Sequence, residues 1–155
     1  MEEPEKKEIP AQVVIAVEHT GSHDEIGRLY HRLHQWAKRH QVKVKGYGFT
    51  IFHSPPGEFD TETALFEVCL PVESPPGPEQ EIMVKQLPAC TVAWVRVKGP
   101  YSEIPAHYTE FLAWLQAQGW TVAGPPREVY IVHPDARGRG DESEFVTEIQ
   151  FPIKD

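Results

Sequence analysis

With 155 residues, of which 40% are hydrophobic and 25% charged, the chain is long enough to bury a sizeable core and has an ordinary globular composition. Its formal net charge of −8 repels phosphate backbones and argues against direct nucleic-acid binding. No apolar run approaches the ~20 residues that span a membrane, and the charged N-terminus is unlike a signal peptide. We therefore expect a cytoplasmic protein without membrane contacts, in which Cys69 and Cys90 are reduced thiols.

The first half of the chain is predicted to run strand, helix, strand, strand. Residues 2–7 form a charged lead-in ahead of the first strand. Ser22 and Glu25 make a capping-box pattern that opens a helix, and apolar residues then recur every three or four positions to about His40. Short runs rich in β-branched and aromatic residues predict the strands, at 13–17, 47–53 and 64–72.

The second half follows the same order after a proline-rich linker at 73–80, except that its first extended stretch is divided at Pro88. Ser102 is predicted to cap a helix that runs to about Gln118, with Gly119 as its stop signal. The runs that predict strands in this half lie at 82–87, 91–97, 127–133 and 145–151.

The two halves also match residue by residue. A shift of 78 positions aligns identical residues along a strand, a turn and a helix: Lys7 with Lys85, Val14 with Val92, Gly21 with Gly99, Glu25 with Glu103, Tyr30 with Tyr108 and Trp36 with Trp114. A shift of 81 aligns Glu67 with Glu148 and Pro71 with Pro152. Such matches indicate an internal duplication. We expect one domain over 1–155, with repeat one at about 7–72 and repeat two at about 81–153.

The duplicated pattern predicts an α+β fold. Two β-α-β-β units, each with a sheet that a helix covers on one face, would join about a pseudo-two-fold axis. The result is a curved, antiparallel sheet with both helices on its convex side. We expect the free, concave faces to meet at the axis and form a central ligand cleft.

Four segments carry a family resemblance: Leu87-Pro88-Ala89, Val97-Lys98-Gly99-Pro100-Tyr101, Arg127-Glu128-Val129-Tyr130 and 147–153. Together they resemble the GyrI-like small-molecule-binding domain, which is the effector-binding part of AraC- and MerR-type transcription regulators. The similarity extends over about 7–153 with only a short lead-in before it, so we expect a stand-alone member. The resemblance implies an aromatic pocket in which a glutamate at the position of Glu128 faces lipophilic cations.

Glu128 and Tyr130 share one face of a predicted strand, because side chains alternate along a strand. A carboxylate inside an apolar segment is costly to bury without a partner. It could bind a positive or hydrogen-bonding ligand, or it could pair with an arginine or lysine across the sheet. Repeat one has no acid at the corresponding place, which we put at Gly48 or Phe49, and this asymmetry favours the ligand site.

Four further residues are candidates for the cleft: Trp94, Tyr101, Tyr47 and Glu67. Trp94 would face the cleft if Ala93 and Val95 pack on the helix, and a core role is the alternative. Tyr101 and Tyr47 are candidate rim aromatics. Glu67 is expected on the concave face, where a structural pairing that it shares with its repeat Glu148 is favoured over a ligand contact. The aromatic residues on the helix stripes are expected to be core packing: Tyr30, Tyr108, Trp36 and Trp114.

The leading functional hypothesis is a binding module for lipophilic, often cationic, small molecules, in which Glu128 selects positive charge. The alternative is a hydrolase, because some GyrI-like proteins that resemble this chain in these motifs hydrolyse strained electrophiles such as cyclopropane-bearing toxins. There Glu128 would be the general base, assisted by Tyr130. His31 and His34 lack further ligands that would complete a metal site, so we expect neither metal nor cofactor. The oligomeric state is left open.

Overall fold

A computed structural model shows a curled antiparallel sheet with two helices, and it describes residues 3–54, 64–77, 79, 81–134 and 139–154. The strands are β1 (Glu5–Ile9), β2 (Gln12–Gly21), β3 (Lys43–Val44), β4 (Phe49–Phe52), β5 (Ala64–Glu73), β6 (Met83–Leu87), β7 (Cys90–Lys98), β8 (Thr121–Val122), β9 (Arg127–Val132) and β10 (Val146–Lys154). The helices are α1 (Ile26–Arg39) and α2 (Ile104–Gln118). Eight strands lie in the order β1-β7-β10-β9-β4-β5-β2-β6, while β3 pairs with β5 and β8 with β10.

The sheet has a pseudo-two-fold axis between its central strands, β4 and β9. Thr50 lies directly opposite Glu128, and these two residues are 78 positions apart. The same shift converts the pair Phe49–Val129 into the pair Arg127–Ile51. The pairing between β4 and β9 is therefore unchanged when the two halves are exchanged. The predicted duplicated fold, with its pseudo-two-fold arrangement, is confirmed.

This register corrects the prediction about the counterpart of Glu128. We placed that counterpart at Gly48 or Phe49, whereas the shift of 78 and the pairing both give Thr50. Thr50 is fully buried, and it is one of few polar side chains in the centre of the sheet. The two halves therefore place a hydroxyl and a carboxylate at equivalent positions, side by side on the axis.

The edges of the sheet exchange strands between the halves. β1 of the first half pairs with β7 of the second, and β6 of the second half pairs with β2 of the first. Lys7 on β1 contacts Glu148 at 2.7 Å, and its counterpart Lys85 on β6 contacts Glu67. Residues 5–7 of the charged lead-in that the sequence predicted at 2–7 therefore belong to a paired edge strand.

The two faces of the sheet differ in what covers them. On the helix face, alternate strand residues pack against the helices, among them Ile15, Val17 and Phe66 in the core of α1 and Ala93, Val95 and Ile149 in the core of α2. The other face, which we call the far face, carries a smaller apolar cluster: Val14, Ala16, Phe49, Ile51 and Cys69. Neighbouring residues on a strand thus belong to different environments.

Local signals explain the helix boundaries. The backbone N–H of Ser22 donates to Glu25 at 3.2 Å, which is one half of the predicted capping box. This bond spans the 3-10 turn His23–Glu25, and α1 begins only at Ile26. Gly119 ends α2 with a φ of 75°, a left-handed conformation that favours glycine. Ser102 lies in a 3-10 turn, and α2 begins at Ile104. Among the described residues, no helix is long and apolar enough to cross a membrane.

Candidate functional site

Glu128 lies on the helix face, at the centre of the sheet. It is paired in register with Thr50 on one side and with Ile149, a residue of the α2 core, on the other. Its carboxylate accepts a hydrogen bond of 2.8 Å from the hydroxyl of Tyr108 on α2. Only 9% of the residue is exposed. The prediction of a cleft on the free face is therefore wrong for Glu128, which points toward the helices.

The electrostatic environment of Glu128 is unusual for a buried acid. Among the described residues, no lysine, arginine or histidine nitrogen lies within 4.0 Å of its carboxylate. Burial raises the pKa of Glu128 to about 7, while the hydrogen bond from Tyr108 acts in the opposite direction. Near neutral pH the group is thus divided between its protonated and ionised forms, and it can take up or release a proton.

Four tyrosines form a group at this carboxyl, which we call the tyrosine cluster: Tyr108, Tyr130, Tyr30 and Tyr101. Tyr130 is buried and donates a hydrogen bond of 2.8 Å to Thr50. The ring centroids of Tyr30 and Tyr101 each lie 6.1 Å from that of Tyr130. Burial, reinforced by the charge of Glu128, raises the pKa of Tyr101 to about 12. Burial and Glu128 likewise raise the pKa of Tyr130 well above its usual value, so these phenols stay neutral.

The two halves use equivalent helix tyrosines differently. Tyr30 on α1 accepts a hydrogen bond of 3.1 Å from the backbone N–H of Gly48. In the second half, Pro126 stands in the position of Gly48 and has no N–H to donate. The hydroxyl of Tyr108 instead donates to Glu128. Pro126 in place of the glycine and Glu128 in place of the threonine thus together change the partner of the tyrosine hydroxyl.

Trp94 lies on the far face. It is paired with Gln150, while its neighbours Ala93 and Val95 belong to the core of α2. Trp94 thus faces away from the helix, and it does not share a face with Glu128 as we had expected. The ammonium of Lys7 sits 4.3 Å from the centroid of its ring, so its face carries a cation of the protein itself.

Glu67 also lies away from Glu128, among ion pairs of the far face. Its carboxylate contacts Lys85 and, at 3.3 Å, His53. Its repeat Glu148 is held by Lys7 at 2.7 Å and by Arg96 at 3.0 Å. These contacts support the favoured interpretation that both carboxylates have a structural role.

The two candidate rim aromatics, Tyr101 and Tyr47, lie in different places. Tyr101 stacks on Phe145, with 5.2 Å between the ring centroids, and belongs to the tyrosine cluster. Tyr47 is 55% exposed and lines a cavity on the far face with Arg127 and Val129. Of the six predicted residues, Glu128, Tyr130 and Tyr101 therefore come together, while Trp94, Glu67 and Tyr47 do not join them.

Three residues of the candidate site were not predicted: Tyr108, Tyr30 and Thr50. Both tyrosines lie on helix stripes at core spacing. This spacing does not show which group the tyrosine hydroxyl contacts. Pro126 was a usable signal, since it removes the donor that the other half supplies to its tyrosine. Thr50 would have followed from keeping the shift of 78 constant through the central strands.

An apolar cavity of about 440 Å³ adjoins the tyrosine cluster on the helix face. Its walls include Phe52, Leu112, Pro126 and Phe151. The ring of Phe151 lies 5.7 Å from that of Tyr108, the residue that donates to Glu128. Glu128 itself is not part of the cavity wall. The carboxylate and the apolar space are thus separated by aromatic side chains.

The chain is similar in sequence and fold to known proteins. The family model for the GyrI-like small molecule binding domain matches residues 2–154. The crystal structure of the EcmrR C-terminal domain has a TM-score of 0.85 and 26% identity, over 98% of this chain and 97% of that chain. With the EcmrR chain of the EcmrR–DNA complex the TM-score is 0.86 at 26% identity, over 98% of this chain and 57% of that chain.

A more distant structure carries a bound molecule. SAV2435 bound to tetraphenylphosphonium has a TM-score of 0.62 and 16% identity, over 99% of this chain and 94% of that chain. At this identity the likeness shows a shared fold. Among curated proteins, no relative matches the chain.

Proposed function

The chain belongs to the family of GyrI-like small-molecule-binding domains, and we propose that it captures lipophilic, often cationic, compounds on the helix face at Glu128. The observation that carries this proposal is a buried carboxylate without a cationic partner among the described residues. An ionised carboxylate in such a place costs free energy unless a positive group compensates it. A cationic ligand would supply that compensation, and the faces of the surrounding tyrosines would add cation–π attraction.

The apolar surroundings favour a lipophilic ligand. The cavity beside Phe52 and Phe151 offers space for the apolar part of a molecule, which would gain by leaving water. Tyr108, which contacts both Glu128 and Phe151 of the cavity wall, would have to rotate for a ligand to reach both. That SAV2435 binds a lipophilic cation, tetraphenylphosphonium, supports the same class of ligand for this fold.

Titration with tetraphenylphosphonium tests the proposal. We expect Glu128→Gln to bind this cation at least about tenfold more weakly, since one buried charge–charge contact is lost. Glu110→Gln is the matched control, because it removes the same charge from an exposed position on α2. Equal affinity of both variants for the cation would remove Glu128 from the proposed site. The affinity of the unmodified protein should rise between pH 6 and pH 8, as Glu128 loses its proton.

One observation favours a second function, the hydrolysis of strained electrophiles. A pKa of about 7 suits a general base, because a useful fraction is ionised while basicity is retained. Tyr108 would orient the carboxylate through its hydrogen bond. Incubation with a cyclopropane-bearing electrophile and mass spectrometry for a water adduct tests this. A reaction no faster than in buffer, or unchanged in Glu128→Gln, would exclude it for that substrate.

A further inference from the structure

A second cavity, of about 510 Å³, lies on the far face of the sheet, on the other side of β9 from Glu128. Its walls include Phe49, Val129 and Gln150 from three neighbouring strands, and Tyr47 stands at its mouth. The volume lies in the range of small-molecule sites, about 300–1,000 Å³. None of the residues around Glu128 on the helix face contributes to this wall.

Arg127 gives this cavity a positive charge. It precedes Glu128 on β9, so its side chain leaves the strand on the opposite face. Its guanidinium carbon lies 5.6 Å from the centroid of the Phe49 ring, and the residue is half-buried. Within the described part of the chain, no carboxylate lies within 4.0 Å of it. Arg96, on the same face, is in contrast paired with Glu148 at 3.0 Å.

The mouth of the cavity adds a second cation. Lys45 is exposed there, and the described carboxylates form no ion pair with it. Glu73 is the acid of the cavity wall, and it too is exposed, where water screens its charge. The amide nitrogen of Gln150 donates to Glu148 at 2.6 Å, which fixes the orientation of the amide. The half-buried charge in the cavity is thus that of Arg127.

The duplicated scaffold does not require these residues. The positions that correspond to Arg127, Lys45 and Tyr47 in the other half hold, in turn, Phe49, Ala123 and Pro125. Arg127 of the second half and Lys45 and Tyr47 of the first half therefore have no counterpart of the same kind in the other half. The same asymmetry distinguishes Glu128 from Thr50 on the helix face.

We propose that the far-face cavity is a second binding site, which takes a small amphipathic anion: a carboxylate on an aromatic or otherwise apolar body. The planar guanidinium of Arg127 can hold both oxygens of a carboxylate at once. Phe49, Val129 and Tyr47 offer the apolar surface for the body of the ligand. The sheet separates this site from Glu128, so the two neighbouring residues serve ligands of opposite charge.

Calorimetric titration with 1-naphthoate tests the proposal, with 1-naphthylmethanol as the neutral probe of the same shape. We expect naphthoate to bind at least about tenfold more tightly than the alcohol. Arg127→Gln should weaken naphthoate binding about tenfold or more. The matched control Arg39→Gln, at an exposed position, should leave the affinity for naphthoate unchanged. Equal affinity for the two probes, or equal effects of the two substitutions, would overturn the proposal.

Two further measurements keep the test decisive if Arg127→Gln unfolds. Lys45→Gln changes an exposed residue, and it should weaken naphthoate binding a few-fold and reduce its salt dependence. Tetraphenylphosphonium should not displace naphthoate, because the sheet lies between the two sites. Displacement, or an affinity that Lys45→Gln leaves unchanged at low salt, would contradict a separate anion site.

Discussion

The two halves of the molecule agree in their framework and differ where they meet. Each half contributes an edge strand whose lysine, Lys7 or Lys85, pairs with a buried glutamate of the other half. On the axis, however, Thr50 faces Glu128. Residues directly opposite on neighbouring strands have Cβ atoms about 5 Å apart, so two identical glutamates there would repel each other. A symmetric scaffold can hold one buried carboxylate on its axis, and the second half carries it.

The largest effect should come from restoring symmetry on the axis. Thr50→Glu places a second carboxylate beside Glu128, and we expect it to lower the free energy of unfolding at pH 8 by about 3–5 kcal/mol. At pH 5 the loss should be smaller, because the two carboxyl groups can share a proton. Thr50→Gln controls for size. Urea unfolding at both pH values provides the measurement, and equal losses for the two variants at pH 8 would contradict charge repulsion.

The second-largest effect should come from removing the charge of Glu128, which has no counterpart in the first half. Because the pKa of Glu128 is raised from 4.5 to about 7, the folded state binds this proton more tightly than the unfolded state. Stability from this group is present below pH 4.5 and is lost as the pH rises to about 7. Glu128→Gln should therefore become more stable than the unmodified protein by up to about 3 kcal/mol between pH 5 and pH 8.

The comparison of free energies against pH checks this prediction. Glu110→Gln provides the reference, because it removes the same charge from an exposed position on α2. A stability difference between Glu128→Gln and the unmodified protein that stays flat over this range would show that Glu128 titrates normally.

The smallest effect should come from removing the hydroxyl group of either of the two equivalent tyrosines, Tyr108 and Tyr30. Tyr108→Phe removes the donor to Glu128, so the pKa of Glu128 should rise, because that hydrogen bond lowers it. Tyr30→Phe removes the acceptor for Gly48 and should cost about 1 kcal/mol of stability while it leaves that pKa unchanged. Carboxyl ¹³C shifts across a pH titration measure both. A similar pKa change in the two variants would show that the tyrosines act through general packing.

The sequence predicted the fold well because identical residues recur at a constant shift, and this shift carries the pseudo-two-fold register. It missed β1, since an edge strand with charged side chains lacks the hydrophobic alternation of a buried one. For the site, alternation correctly grouped Glu128 with Tyr130 and opposed Trp94 to Ala93.

The error was to place Trp94 on the same face of the sheet as Glu128 and Tyr130. Alternation tells which residues of a strand share a face, but it does not tell which face of that strand the helix covers. Only the register through β10 relates β9 to β7, and it places Ile149 between Glu128 and Val95. Pairing across the sheet depends on the whole fold, so a single strand could not reveal it.

The exchanged edges also determine the order in which the protein can be completed during synthesis. The first half lacks its outer strand until Met83–Leu87 has left the ribosome, although α1 and β2 were made long before. The second half needs Glu5–Ile9, which is made first and must wait for β7. Neither half can close its sheet from its own residues alone, and a cut in the linker would leave two fragments that each need the other.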